Sequence, residues 1–231
     1  MKRPAYASAR RRAVGAAMVE FVIVAPLLGL FLVTLVQYGM LLVAQADMSY
    51  AALMAARAGS TGNVDPTLMR DAYLRAMVPW YGGGVDTASL AQSLARAQGD
   101  ATGHLLIQVI SPTAQAYRHW NDPTLQRREG HGRRVIAWTG TPPAGSAAPS
   151  PDEQSLAQAR VLKLRIAQSF VPLDPMFTQA YLALLRLADP HVATRAGRFY
   201  TSQIDQDRLV LVSTAAVHLQ SDAIESSSTR P

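Results

Sequence analysis

"RRAVGAAMVEFVIVAPLLGLFLVTLVQYGMLLVAQA", residues 11–46, decides the architecture of this chain. From Phe21 to Ala44 no residue carries a charge, and as a helix these 24 residues would rise roughly 36 Å, at about 1.5 Å per residue. The hydrocarbon core of a bilayer is about 30 Å thick. The stretch therefore predicts a membrane-spanning helix, with a single acid, Glu20, at its head.

The positive charge of the chain is concentrated in front of this helix. Of the 22 Lys and Arg residues, five precede Gly15 with no acid among them, which leaves 22 − 5 = 17 against 16 acidic residues in the rest of the chain. A nucleic-acid-binding domain carries its excess charge on the folded body, so we expect no nucleic-acid partner. The positive-inside rule places the N-terminus in the cytoplasm and the C-terminal part outside.

The residues at the head of the apolar run form an ordered pattern. A basic leader is followed by Gly15, four residues, Glu20, the aromatic Phe21 and the apolar run. This order resembles the processing site of type IV pilin-like proteins. The resemblance implies that a prepilin peptidase cuts between Gly15 and Ala16, so that the new α-amine of Ala16 lies one helical turn from the Glu20 carboxylate. Pairing with that amine, in the same or a neighbouring chain, would offset the cost of a carboxylate near the membrane and fix axial register.

Residues 15–60 are similar to the TadE-like group of the Tad (tight adherence) pilus systems. The similarity rests on four short segments: Val19-Glu20-Phe21, Pro26-Leu27-Leu28, Gln37-Tyr38-Gly39 and Ala55-Ala56-Arg57-Ala58-Gly59. It implies a minor pseudopilin that assembles with other pilins or pseudopilins and the inner-membrane platform of Flp-type pili, in contact with membrane lipid. The exported part is long for a minimal member, so a TadG-like or other longer pseudopilin stays open.

The predicted fold class is α+β. We expect a basic leader at 1–15, a transmembrane and stalk helix at 16–58, and a periplasmic domain at 59–231 with a small antiparallel sheet and a flexible loop at 141–151. Asp-Pro or Asp N-caps predict helices after Asp65, Asp86 and Asp174, the second with Leu90 and Leu94 facing inward. Apolar segments predict strands at 103–111, 133–138, 159–173 and 208–220, and residues 112–134 are expected to be an irregular polar excursion.

The sequence offers no catalytic or cofactor-binding pattern. The chain has no cysteine, and its five histidines lack metal-ligand spacing. Gly82-Gly83-Gly84 lacks the Lys-Ser/Thr of a phosphate-binding loop. We therefore expect no enzyme activity, no metal and no cofactor.

Two other fates of the N-terminus remain open. The helix could stay uncleaved, as the anchor of a periplasmic binding or scaffold protein that begins at Met1. Alternatively, Ala44-Gln45-Ala46 could be a signal-peptidase site that releases a soluble domain starting at Asp47, although its apolar core exceeds the 7–15 residues usual for secretory signals. The mature N-terminus, at Ala16, Met1 or Asp47, separates the three possibilities.

Overall fold

The computed structural model describes residues 7–142, 153–171, 192–206 and 208–226, together with Gln179 and Ala183; for residues 7–17 and 192–196 it describes the backbone alone. Three sequence-based expectations lie wholly or partly outside these residues. They concern the leader, the loop at 141–151 and the helix after Asp174.

A single long helix, α1, runs over Ala7–Thr61. It begins nine residues before Ala16 and continues through Pro26, where the missing N–H removes only one hydrogen bond of the helical ladder. The helix ends in a tight turn in which the Gly62 and Val64 amides donate to the carbonyls of Ala58 and Gly59.

The helix divides into two parts with different surroundings. In the free half, Met18–Val36, every large apolar side chain is between 42% and 71% exposed. In the docked half, Gln37–Ser60, one stripe is buried against the rest of the protein at helical spacing, at Gln37, Ala44, Met48, Ala51, Ala52, Ala55, Ala56 and Ser60. The apolar run predicted from the sequence therefore extends past Gln37 into the part that packs on the domain.

Two helices follow α1 and confirm the expected caps. Helix α2 covers Pro66–Ala76 after the N-cap Asp65, and α3 covers Thr87–Asp100 after the N-cap Asp86. The expectation that Leu90 faces inward is wrong, because its side chain is 43% exposed. Ser93 is buried instead, and its hydroxyl donates to the Gly83 carbonyl at 2.6 Å. The side of α3 that carries Ser93 therefore faces the preceding loop.

The main sheet is three-stranded and antiparallel. It consists of β1 (Leu105–Ser111), β3 (Val161–Phe170) and β4 (Leu209–His218), with β3 in the centre. A second, two-stranded antiparallel sheet pairs β2 (Val135–Ile136) with β5 (Ala223–Ile224). Helices followed by small antiparallel sheets confirm the α+β class.

The expectation of an irregular excursion at 112–134 is wrong in part, because two short helices form there. Helix α4 covers Ala114–His119 and α5 covers Pro123–Arg128, capped by Thr113 and Asp122. These N-caps supply the acceptors that the first amides of each helix need. Two further helical segments are α6, Leu156–Ala159, and α7, Val192–Ile204, which is interrupted at Gly197.

The core lies between one face of the main sheet and helices α1 and α2. Strand β3 alternates, so that Leu162, Leu164 and Ile166 are fully buried on this face while Lys163 is exposed on the other. The other face is solvated only along the first part of the strand, because Ala167 and Ser169 are buried as well. The Ser169 hydroxyl donates to Gln203 of α7 at 2.6 Å, so α7 covers that end of the outer face.

Candidate functional site: the exposed half of the N-terminal helix

The predicted processing and assembly residues all lie on α1. Gly15, Ala16, Glu20 and Phe21 are helical, with no break between them. Ala16 and Glu20 are therefore separated by one turn, roughly 6 Å along the axis, and both lie on one side of the helix. The structure thus brings the two residues of the proposed pair together through backbone geometry alone.

Glu20 lies on an apolar, exposed surface. Its neighbours Val19 and Phe21 are 62% and 71% exposed, and Glu20 is itself exposed. It forms no ion pair or hydrogen bond with any side chain that the structure describes. Because the chain has no Lys or Arg between Ala13 and Ala56, no side chain of the apolar run can serve as a cationic partner for Glu20.

The free half has the length and composition of a membrane span. The chain has one described helix apolar enough to cross a membrane, found between Met18 and Thr61, and none of its most apolar window is buried in the protein. The 19 residues of the free half rise roughly 28 Å, close to the hydrocarbon thickness of about 30 Å. The Thr34 hydroxyl within it is satisfied inside the helix, since it donates to the Leu30 carbonyl at 2.9 Å.

The docked half is fixed to the domain by small side chains and a few polar contacts. Gln45 donates to the Val212 carbonyl of β4 at 3.1 Å. At the far end, a Cβ added to Gly59 would lie 2.7 Å from the Met69 sulfur and 2.9 Å from a Leu162 methyl, which shows how closely α1 approaches α2 and β3. The free half is therefore the projecting part of a helix whose other half belongs to the domain core.

A polar network that the sequence analysis missed joins α2, α3, β3 and the residue before β4. The Tyr73 hydroxyl donates to Gln168 Oε1 at 2.5 Å, and Gln168 Nε2 donates to the Tyr81 hydroxyl at 2.9 Å. The Tyr81 hydroxyl donates in turn to Asp100, which also accepts from Arg208 at 2.9 Å. One signal could have found it: Gln168 occupies an inward position in the alternation of β3.

The two tyrosines of this network are held in their neutral form. Burial raises the pKa of Tyr73 well above its ordinary value, and the nearby Tyr81 adds to the effect. Burial also raises the pKa of Tyr81, with the hydrogen bond and negative charge of Asp100 as further causes. A neutral phenol both donates and accepts, so the network links the helices to the sheet through satisfied groups.

The described part of the chain shows no metal centre. It contains no group of three or more His, Asp or Glu side chains that could hold a metal ion. His104, which opens the segment leading to β1, has its Nδ1 2.7 Å from Gln203 Oε1. That contact gives this histidine a structural role in joining the β1 entry to α7.

Comparison with known proteins bears on the N-terminal helix. No curated protein and no solved structure matches the chain significantly. Residues 15–57 match the model of the TadE-like protein family. The matched segment begins at Gly15, includes the whole free half with Glu20, and ends within the docked half at Arg57. Residues 15–57, which form α1 from Gly15 to Arg57, are therefore similar to TadE-like proteins.

Proposed function

We propose that this protein is a minor pseudopilin-like component of Tad/Flp pilus assembly. The observation that carries the proposal is the TadE-like match over residues 15–57, on a helix whose first half projects from the domain with Glu20 at its start. A bare apolar helix is suited to lateral contact with other helices and with lipid. The partners we propose are other pilins or pseudopilins, the inner-membrane assembly platform and membrane lipid.

In the proposed topology the chain crosses the bacterial inner membrane once. The free half spans the bilayer, the basic leader stays in the cytoplasm and the domain after α1 lies in the periplasm. The five leader cations and the absence of Lys or Arg from Ala13 to Ala56 support this orientation.

Maturation by a prepilin peptidase would separate Gly15 from Ala16. Since the structure has both residues inside α1, the peptidase would have to unwind the helix locally to reach the bond. Gly15 is the weakest point for this, because glycine in a helix interior costs about 1 kcal/mol relative to alanine. The glycine thus has two proposed roles: it leaves room beside the scissile bond and it lowers the cost of opening the helix.

Two alternatives differ in where the mature chain begins. The unbroken helix across Gly15 and Ala16 favours an uncleaved single-pass anchor as the second candidate. Release after Ala46 fits less well, because it would remove Gln37 and Ala44, which are 3% and 1% exposed against the domain.

The mature N-terminus of the protein tests the proposal. Intact mass and N-terminal sequencing, with the peptidase co-expressed, should give Ala16; Met1 would support the uncleaved anchor and Asp47 the released domain. Gly15→Ala and Gly15→Lys should both accumulate as precursor. Gly29→Ala is the matched control, since it stiffens the same helix where an added Cβ meets nothing within 4 Å, and it should be processed normally. Wild-type processing of both Gly15 variants would contradict cleavage at this bond.

A further inference from the structure

A cleft opens where the free half of α1 meets the domain. Its volume is about 260 Å³, and its described lining comes from α1, the turn after α2 and the end of β3: Gln37, Met40, Leu41, Trp80, Phe170 and Val171. None of these side chains is charged. We refer to it as the junction cleft.

The junction cleft is built on a rigid aromatic pair and has apolar groups at its mouth. Trp80 packs edge-on against Phe170, with ring centroids 5.5 Å apart and an interplanar angle of 79°. Phe170 is buried, but the next residue, Val171, is 72% exposed, and Met40 on the facing helix is 42% exposed. Exposed apolar surface of this kind costs about 25 cal/mol per Å² in water, so this edge of the domain suits an apolar environment.

The position of the cleft along α1 indicates what that environment is. If the free half, ending at Val36, spans the roughly 30 Å hydrocarbon layer, then Gln37, Met40 and Leu41 lie at its outer boundary. The cleft adjoins the lipid-facing surface of the helix, since its first lining residue, Gln37, directly follows the last residue of the free half. Tryptophan is enriched at that depth because its ring is apolar and its N–H is polar.

We propose that this edge of the domain is seated in the membrane interface and that the junction cleft takes the acyl-chain end of a lipid from the outer leaflet. This inference rests on the membrane topology proposed above. The membrane would then contact the folded domain as well as the free half of α1. Extraction of the subunit from the membrane would then require the cleft to release lipid or exchange it for a protein surface.

The chain has no cysteine, so single spin labels can be placed without background mutations. Full-length protein with Val171→Cys would be reconstituted in phosphatidylethanolamine–phosphatidylglycerol vesicles, and label depth measured from collisions with oxygen and with a water-soluble nickel chelate. Two controls bracket the bilayer: Leu32→Cys, 58% exposed in the free half, and Thr61→Cys, exposed at the end of α1. Thr61 lies 20 residues above Leu41, roughly 30 Å along the helix.

The Val171 label should collide more with oxygen than with the nickel chelate, as at Leu32, whereas the Thr61 label should show the opposite preference. A Val171 label that behaves like Thr61 while Leu32 is in lipid overturns the cleft inference and leaves the membrane topology standing. A Leu32 label in water would instead refute the topology itself. A Val171 label shielded from both reagents would mean that protein, such as a second copy, fills the cleft, and this also overturns the inference.

Discussion

The docking of α1 on the domain gives a quantitative prediction at Ala52. This side chain is fully buried in the middle of the docked half. Ala52→Leu adds three heavy atoms at a position where the two surfaces are already in contact, and such overpacking costs about 1–3 kcal/mol. Leucine is almost as good a helix former as alanine, so the loss would come from packing alone.

The cost can be read as a shift in melting temperature. For a domain of this size, about 1 kcal/mol corresponds to roughly 2–4 °C. We therefore expect Ala52→Leu to lower the melting temperature by about 2–12 °C on these scales. The assay is thermal unfolding of the full-length protein in detergent, followed by tryptophan fluorescence and near-ultraviolet circular dichroism.

Ala46→Leu is the matched control, since it makes the same change on the exposed side of the same helix. Surface substitutions of this kind usually stay within about 0.5 kcal/mol, so its melting temperature should be close to that of wild type. If the exposed side of this helix contacts other subunits, Ala46→Leu should impair pilus assembly in cells although its melting temperature is normal. Equal melting temperatures for Ala52→Leu and wild type would refute the docking of this half on the domain.

Three further predictions concern the acid, the topology and the buried tyrosines. Glu20→Gln should be inserted and cleaved normally but lose crosslinking to pilin partners and lose pili; normal crosslinking and piliation would reduce Glu20 to an interfacial acid. A periplasmic reporter fused after residue 231 should be active and a cytoplasmic one silent, and the reverse pattern would overturn the topology. Burial raises the pKa of Tyr73 and Tyr117. The free energy of unfolding should therefore keep its full value below pH 10 and fall above pH 10 by up to about 1.4 kcal/mol per pH unit for each tyrosine. Urea unfolding measured from pH 8 to pH 11 checks this, and a flat pH profile for wild type would contradict the mechanism. Tyr73→Phe should lower the free energy of unfolding by about 1–3 kcal/mol at pH 8 through its lost hydrogen bond to Gln168. Tyr117→Phe should cost little, because the Tyr117 hydroxyl is buried with no hydrogen-bond partner among the residues that the structure describes.

Features with local causes could be predicted from the sequence. The long helix follows from an unbroken apolar and alanine-rich run, and the starts of α2 and α3 follow from the capping of Asp65 and Asp86. The TadE-like similarity, stated from Gly15 to Phe21 and three later segments, is confirmed by the family match at 15–57. Each of these signals is contained in one continuous stretch of the sequence.

Features that depend on distant contacts could not be predicted in the same way. The division of α1 at Gln37 follows from packing against β3, β4 and α2, which are far away in sequence. The uncharged run continues past this point to Ala44 and does not mark it. Leu90 faces solvent because Ser93 is drawn toward the Gly83 carbonyl. The cleavage at Gly15 and the assembly role of Glu20 remain predictions, because they concern a peptidase and a second chain.

The division of α1 also bears on when Glu20 is needed. In the proposed topology Glu20 and Gln37 lie at opposite boundaries of the hydrocarbon layer, since 17 residues of helix separate them by roughly 26 Å. While the domain is seated at the outer interface, the carboxylate stays near the cytoplasmic headgroups and costs little. If the helix is drawn outward during assembly, the same carboxylate enters the apolar layer, where an unpaired acid costs roughly 2.5–3.5 kcal/mol. An amine presented by a neighbouring subunit would offset this cost when it lies at the same depth as the carboxylate. Glu20 would then affect the extraction of the subunit from the membrane and its axial register in the assembly, and would have little effect on membrane insertion.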